Sequence, residues 1–167
     1  MQDVAPQPAC CIRPAARADI SALFALWRDM MRSHRAYDAA FSLASDAADS
    51  WRQATADMVS RHDSFVLVAD RGGKLVGFVT GWVAYNPPIY EARVVGLISE
   101  IAVSRSTRHQ GIGRSLVAAA RAWFAARELN EFQLSTAIRN AGARAFWQAQ
   151  GGKPLLVRYR FDTAAPQ

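Results

Sequence analysis

The run VVGLISEIAV, residues 94–103, leaves this chain little freedom in how it folds. It carries one charge, at Glu100, and is rich in branched apolar side chains, the pattern of a strand covered on both faces. SRSTRHQGIGRSL, residues 104–116, follows at once: a glycine-bearing turn running into Leu116, Val117, Ala120, Trp123 and Phe124 at helical spacing. A buried strand that turns straight into an amphipathic helix requires a sheet with helices packed on it.

The remaining pattern fits that frame. CIRP, residues 11–14, reads as a first strand. Asp19 is placed to cap a helix whose apolar positions are Ile20, Leu23, Phe24, Trp27 and Met31. A second helix is expected from about Asp46 to Arg61. SFVLVAD and KLVGFVTGWVAY flank RGG as a hairpin, and the two prolines of NPPIYEAR make that stretch a loop. EFQLSTA reads as a strand, Asn140 as the cap of the helix AGARAFWQAQ, Gly151 as its stop, and KPLLVRYRF as a last strand. The order β-α-α-β-β-β-α-β-α-β defines a single α/β (α+β) domain around a mixed sheet. Its expected span is residues 11–162, with loose ends at 1–10 and 163–167.

Charge is distributed unevenly. The net charge is +6, but Arg105 to Arg160 holds ten Lys/Arg against Glu128 and Glu131, and the remainder is slightly acidic. A basic region attracts nucleic acid or a phosphorylated small molecule; none of the usual nucleic-acid-reading signatures accompanies it, so no nucleic-acid partner is expected. No apolar run approaches a membrane span, and the first ten residues lack a signal-peptide pattern, which points to a cytoplasmic protein without a membrane partner. Cys10 and Cys11 are adjacent, too close to bridge without strain and too few for a metal site, so no metal is expected.

The turn itself suits an anion. Backbone N–H groups converge at a helix N-terminus, Gly111 and Gly113 open the backbone to close approach, and Arg108 and Arg114 add charge. A glycine-relaxed turn with solvated arginines would use the same residues. A P-loop fails because its first glycine would fall at Arg108; a dinucleotide fingerprint fails because its third glycine would fall at Leu116. R-x-x-G-x-G does fit, as Arg108-His109-Gln110-Gly111-Ile112-Gly113, and N-x-x-A-x-x-F-W-x-x-x-G-G follows from Asn140 to Gly152. In both motifs and their order the chain resembles the GCN5-related N-acetyltransferase (GNAT) superfamily, over about residues 11–161.

That resemblance implies a mixed central sheet with a splayed strand pair, helices on both faces, and acetyl-CoA as co-substrate. It implies that the main chain of Ile101, Ala102 and Val103 meets pantetheine. The pyrophosphate would fall on the stretch Arg108, His109, Gln110, Gly111, Ile112, Gly113 and Arg114. Asn140, Ala143 and Phe146 would face the cofactor from the next helix, Asn140 alternatively serving as a simple cap. A thioester is attacked by a neutral amine, so a base is needed. Glu100, the lone acid of the apolar strand, is the first candidate; Glu131, Ser135, Tyr85 and Tyr90 are weaker ones. Many relatives place a tyrosine after the Phe of the second motif to protonate the leaving thiolate. Here that position is Trp147, which cannot titrate, and Tyr159 is one substitute.

The acceptor pocket implied by the resemblance draws on the first two helices, their connection and the loop after the third strand. These offer Tyr37, Asp38, Phe41, Asp46, Asp49, Trp51, Tyr85, Tyr90 and Glu91, with Tyr37, Phe41, Tyr85, Tyr90 and Glu91 as the substrate-binding set. Aromatics mixed with acids suit a cationic amine on a small molecule or peptide. Homodimers are common in the family, and a homodimer is an expectation here. A non-catalytic acyl-CoA-binding or regulatory protein on the same fold is the alternative reading.

Overall fold

A computed structural model describes residues 9–163. Its five strands lie in the order of their sequence: β1 (Cys10–Pro14), β2 (Ser64–Arg71), β3 (Lys74–Tyr85), β4 (Val94–Val103) and β5 (Phe132–Leu134). The first four pair antiparallel, and β5 runs parallel to β4. β2 and β3 meet through Gly72 and Gly73, both at positive φ (60° and 85°), the backbone that a two-residue hairpin loop demands.

Helices α1 (Ile20–Tyr37), α2 (Ala47–Ser60), α3 (Ile112–Ala125) and α4 (Ala141–Ala149) complete the chain. Alternation along the strands divides the core into two layers. Phe65, Leu67, Ala69 and Val79 face α3, whose stripe Leu116, Ala120 and Phe124 is buried against them. Val66, Val68 and Phe78 face the other way, onto Leu23 and Trp27 of α1 and Trp51 and Met58 of α2. Burying a side chain such as Leu116 or Phe124 contributes about 1.5–3 kcal/mol each.

One expected cap differs in detail. Asp19 precedes α1 but gives it no side-chain cap; it accepts from the Ala16 N–H at 2.8 Å and pairs with Arg13 at 2.7 Å, with Arg13 bridging on to Asp70. The Arg13 hydrogen bond is the main force holding the Asp19 carboxyl below its ordinary range. Asp46 likewise does not cap α2; it accepts from the Ser50 hydroxyl. Asn140 does cap α4, accepting from the Ala143 N–H at 3.0 Å.

The larger correction is at the C-terminus. KPLLVRYRF, residues 153–161, forms no strand; the chain there is exposed throughout. The alternation that reads as a strand is present, but none of the chain's own described strands is its neighbour. The strand expected at EFQLSTA is shorter than its sequence, only Phe132–Leu134. The sheet begins at Cys10, within the stretch expected to be loose; residues 1–8 and 164–167 of the expected loose ends lie outside the described residues. Cys10 and Cys11 are both free. Among the described residues no helix is long and apolar enough to cross a membrane, and no group of three or more metal-ligating side chains comes together.

Candidate active site

The site grows from an irregularity in β4. Thr80 of β3 pairs with Glu100, yet the next residue, Gly81, pairs with Ile98, so Ser99 is an extra residue bulged out of the ladder. On the opposite side β5 pairs only with Gly96, Leu97 and Ile98. From residue 99 to residue 103 β4 therefore pairs with no strand on its β5 side among the described residues, and β4 and β5 part. This is the splayed strand pair expected from the sequence, and Ile101, Ala102 and Val103 lie on the parted segment.

β4 then enters the turn. His109 and Gly111 both take positive φ, 62° and 82°, which reverses the chain within a few residues and starts α3. No side chain caps α3 at Gly111, so the N–H groups of its first turn have no partner within the helix. With the helix dipole these N–H groups make a ready anion site. Arg108, His109, Gln110 and Arg114 are exposed around it. Neither Arg108 nor Arg114 forms an ion pair among the described residues; the Arg108 Nε donates to the Val103 carbonyl at 3.2 Å and so ties the turn to the strand end.

The two glycines of the turn have different roles. A Cβ on Gly111 would meet nothing within 4 Å, so that residue is required for its backbone angle and leaves open space above it. A Cβ on Gly113 would lie 3.3 Å from the Phe146 ring and 3.8 Å from Val103. The missing side chain at Gly113 thus makes room for the Phe146 ring. Phe146 stands between α4 and the parted end of β4, with Ala143 half-buried a turn earlier. Trp147, at the position where a tyrosine was of interest, is half-buried and packs toward the α3 layer, its ring edge-on to Phe146.

On the other face of the sheet lies Glu100. Its Oε1 accepts from the Trp27 indole N–H at 2.9 Å, and the Trp51 indole N–H is shared between Oε1 and Oε2 at 3.2 and 3.1 Å. The indoles stack on each other at 5.1 Å between ring centroids, Phe24 stacks on Trp27, and Phe78 stands edge-on to Trp51. Burial raises the Glu100 carboxyl above its usual range; the Trp51 and Trp27 hydrogen bonds oppose that rise, as does the nearby His34. The side chain of Thr80, fully buried beside Glu100 in the register, has a hydroxyl with no hydrogen-bond partner among the described residues.

Trp27 and His34 were not among the candidates read from sequence. Trp27 was legible as an apolar position of α1; its buried N–H, which needs an acceptor, was the signal that could have tied it to the only acid of the apolar strand. His34 gathers two of the predicted substrate residues: the Tyr37 and Phe41 rings stand edge-on to it at 6.0 and 5.6 Å. Tyr85, the last residue of β3, is exposed, as are Tyr90 and Glu91 in the loop between β3 and β4. Glu131 is exposed and accepts from Gln133, Ser135 lies exposed beyond the end of β5, and Tyr159 is exposed on the C-terminal segment.

The pattern that defines the acetyltransferase (GNAT) family matches residues 23–151. The chain belongs to that family. Among solved structures, a tetramutant of the BH1408 protein from Bacillus halodurans matches with a TM-score of 0.80 at 20% identity, over 91% of this chain and 99% of that one. An aminoglycoside antibiotic 6'-N-acetyltransferase, AAC(6')-IG from Acinetobacter haemolyticus, matches with a TM-score of 0.74 at 18% identity, over 93% and 99%. The aminoglycoside N-acetyltransferase AAC(6')-Iy, in complex with CoA, matches with a TM-score of 0.76 at 17% identity, over 96% and 99%. No curated protein sequence matches significantly. At these identities the structural likeness concerns the fold.

Proposed function

We propose that this acetyltransferase moves an acetyl group from acetyl-CoA to the primary amine of a small, cationic molecule, with Glu100 as the base. The observation that carries the reading is the Glu100 carboxylate: partly buried, in hydrogen-bond contact with two indoles, and on the parted segment of β4.

Acetyl-CoA supplies an acetyl group activated as a thioester. The chain's residues fit it. The uncapped first turn of α3, with Arg108 and Arg114, offers the pyrophosphate N–H donors and positive charge. Ile101 and Val103 offer backbone groups on the β5 side of β4, where no described strand pairs with them, while those of Ala102 between them face β3. Asn140 caps the start of α4, the helix that carries Ala143 and Phe146. A splayed-strand N–H such as that of Val103 is placed to steady negative charge on the thioester oxygen.

The acceptor must lose a proton to react, because an alkylammonium with a pKa of about 10.4 is almost wholly protonated near neutrality. Two indole protons occupy part of the four lone-pair sites of Glu100 and leave room for that proton. The raised proton affinity of Glu100 suits it to accept one. The Trp27, Trp51 and Phe24 rings stack on one another with the Arg52 guanidinium over Phe24, and His34, Tyr37 and Phe41 continue the aromatic cluster at the end of α1, offering π surface to a cation. Trp147 provides no titrating group for the thiolate, which leaves with hydrogen-bond help alone. The names of AAC(6')-IG and AAC(6')-Iy make aminoglycosides the first acceptors to try.

The test joins a melting-temperature shift to a turnover assay. Acetyl-CoA at about 100 times its Kd adds roughly 2.7 kcal/mol of stability; ATP and NAD serve as controls. Thiol release is then followed with an amine panel of aminoglycosides, polyamines and peptides. Turnover that requires Glu100 supports the proposal. A shift with acetyl-CoA but no transfer to any amine would favour a non-catalytic acyl-CoA-binding protein.

A further inference from the structure

A proton taken by Glu100 has to leave before the next turnover, and the residues that touch Glu100 do not carry it away. Two indole N–H groups hold the carboxylate, and an indole donates a hydrogen bond but takes up no proton. Thr80, the register partner of Glu100 on β3, is fully buried. The exit needs a titrating side chain that lies between Glu100 and the surface.

α1 supplies one. His34 lies seven residues beyond Trp27 on α1. That spacing is two helical turns along one face, about 10 Å along the axis. Met30 and Met31, between the two, pack on the same cluster as Trp27, on this face of the sheet. Arg105, two residues past β4, brings its guanidinium within 3.5 Å of the Ser33 hydroxyl. This half of α1 therefore runs beside the parted end of β4. His34 is half-buried there, whereas His62 and His109 are exposed. Its charge acts on Glu100 and favours the carboxylate.

The ring is fixed in place and in tautomer. Nδ1 lies 3.1 Å from the Met30 carbonyl, one turn back. A carbonyl oxygen only accepts, so Nδ1 carries the proton of the neutral ring and Nε2 keeps its lone pair. The Tyr37 and Phe41 rings stand edge-on to it at 6.0 and 5.6 Å. The other charges around this end of α1 are engaged elsewhere. Arg160 pairs with Asp38 at 3.1 Å, and Arg139 donates to the Tyr37 carbonyl at 3.2 Å. Arg105 is directed to Ser33, and Arg35 is exposed.

We propose that His34 is the proton exit of the site: its Nε2 receives from Glu100 the proton that Glu100 took from the acceptor, and passes it to solvent. The proposal rests on the reading of Glu100 as the base. The acceptor ammonium gives one proton to a Glu100 oxygen. The freed nitrogen lone pair bonds the thioester carbonyl carbon, and the C–S bond breaks with its electron pair on sulfur. The nitrogen then sheds a second proton, which balances the thiolate as thiol. One proton per turnover is left on Glu100. It moves by way of water to Nε2, giving an imidazolium whose Nδ1–H stays on Met30, and Nε2 releases it to bulk water. Histidine changes charge between about pH 5 and 8, so it accepts and releases a proton readily near neutrality. His34 acts through Glu100 and touches neither the acetyl group nor the amine.

Nuclear magnetic resonance on the full chain tests the assignment without an acceptor. With isotope-labelled histidine, the neutral His34 ring is expected to carry its proton on Nδ1 and none on Nε2. The Glu100 carboxyl is expected to titrate at higher pH in His34→Phe and His34→Gln, because a positive neighbour is lost. Gln keeps a donor for the Met30 carbonyl and serves where Phe disturbs the fold. Turnover with an acceptor from the amine panel tests the step itself. Both variants are expected to lose about tenfold or more in kcat at low buffer concentration, with KM for acetyl-CoA unchanged. Added imidazole is expected to restore the rate of the variants and to leave that of the natural protein unchanged. A neutral ring protonated on Nε2 overturns the proposal, as does a Glu100 titration indifferent to His34. So does a natural kcat in His34→Gln, or a loss that imidazole does not restore, which would leave His34 a packing role. Glu100→Gln separates the relay from the reading beneath it. Transfer lost in Glu100→Gln but kept in the His34 variants overturns the relay alone; full transfer by Glu100→Gln overturns both.

Discussion

The Trp27 indole donates to the Glu100 carboxylate at 2.9 Å, joining the middle of α1 to the strand that leads into the glycine turn. The bond favours the charged form of Glu100 and so opposes the upward push of burial. Trp27→Phe keeps a ring in the stack but removes the donor. A hydrogen bond to a charged group contributes about 1.5–3 kcal/mol, and losing it raises the carboxyl's pKa further. The ascending limb of kcat/KM against pH is therefore expected to move to higher pH in Trp27→Phe. A limb that stays in place while stability falls would reduce Trp27 to a packing role.

Glu100 has a signature in stability as well as in rate. Burial raises its pKa in the folded state above the ordinary 4.5. The folded protein then binds the proton more tightly than the unfolded chain, so the stability that this proton brings is present below about pH 4.5 and is lost as pH rises through the folded pKa. Gln at this position has no charge to desolvate, and its amide oxygen can still accept from both indoles. Relative to the natural protein, Glu100→Gln is expected to gain melting temperature as pH rises above 4.5, while acetyl transfer falls by on the order of a hundredfold or more. Paired melting curves from pH 4 to pH 8 check the first, turnover the second. Equal pH dependence of the two melting curves would mean that the carboxylate is better solvated than its surroundings imply.

Much of this site was legible because its signals are local. One acid in an apolar strand, two glycines before an apolar stripe, and Asn140 before a helix each express a constraint within a few residues, and the structure realises each as strand, turn and cap. What escaped was set by tertiary approach. Nothing in the spacing of α1 or α2 says that the indoles of Trp27 and Trp51 converge on Glu100. Nor does the sequence say that Gly113 makes room for the Phe146 ring of α4. The last strand failed for another reason: alternation reports that a segment suits a covered face, but it does not supply a neighbouring strand, and among the described strands the segment has none.

Gly111 separates backbone demand from side-chain crowding, because a Cβ there would meet nothing within 4 Å while φ is +82°. Gly111→Ala is expected to cost about 1–2 kcal/mol from the left-handed backbone alone, lowering Tm by a few degrees for a chain of this size. It is also expected to weaken acetyl-CoA binding, since the turn aims the first N–H groups of α3. Asn tolerates this backbone better than Ala, so Gly111→Asn should lose less on both counts. Thermal melts with and without acetyl-CoA give both readings; equal losses for Ala and Asn would show that the backbone angle is not the cause.

Thr80 offers the opposite test, a substitution expected to stabilise. Its side chain is fully buried next to Glu100, and its hydroxyl finds no hydrogen-bond partner among the described residues. A buried hydroxyl without a partner costs about 1–3 kcal/mol. Valine has nearly the same shape without the polar atom, and β3 accepts branched side chains on this face. Thr80→Val is therefore expected to raise stability by about 1 kcal/mol, or roughly 2–4 °C in Tm, with kcat/KM unchanged. If stability falls instead, and turnover falls with it, the hydroxyl must be held by an internal water shared with Glu100. The proton path from the acceptor amine would then run through that water.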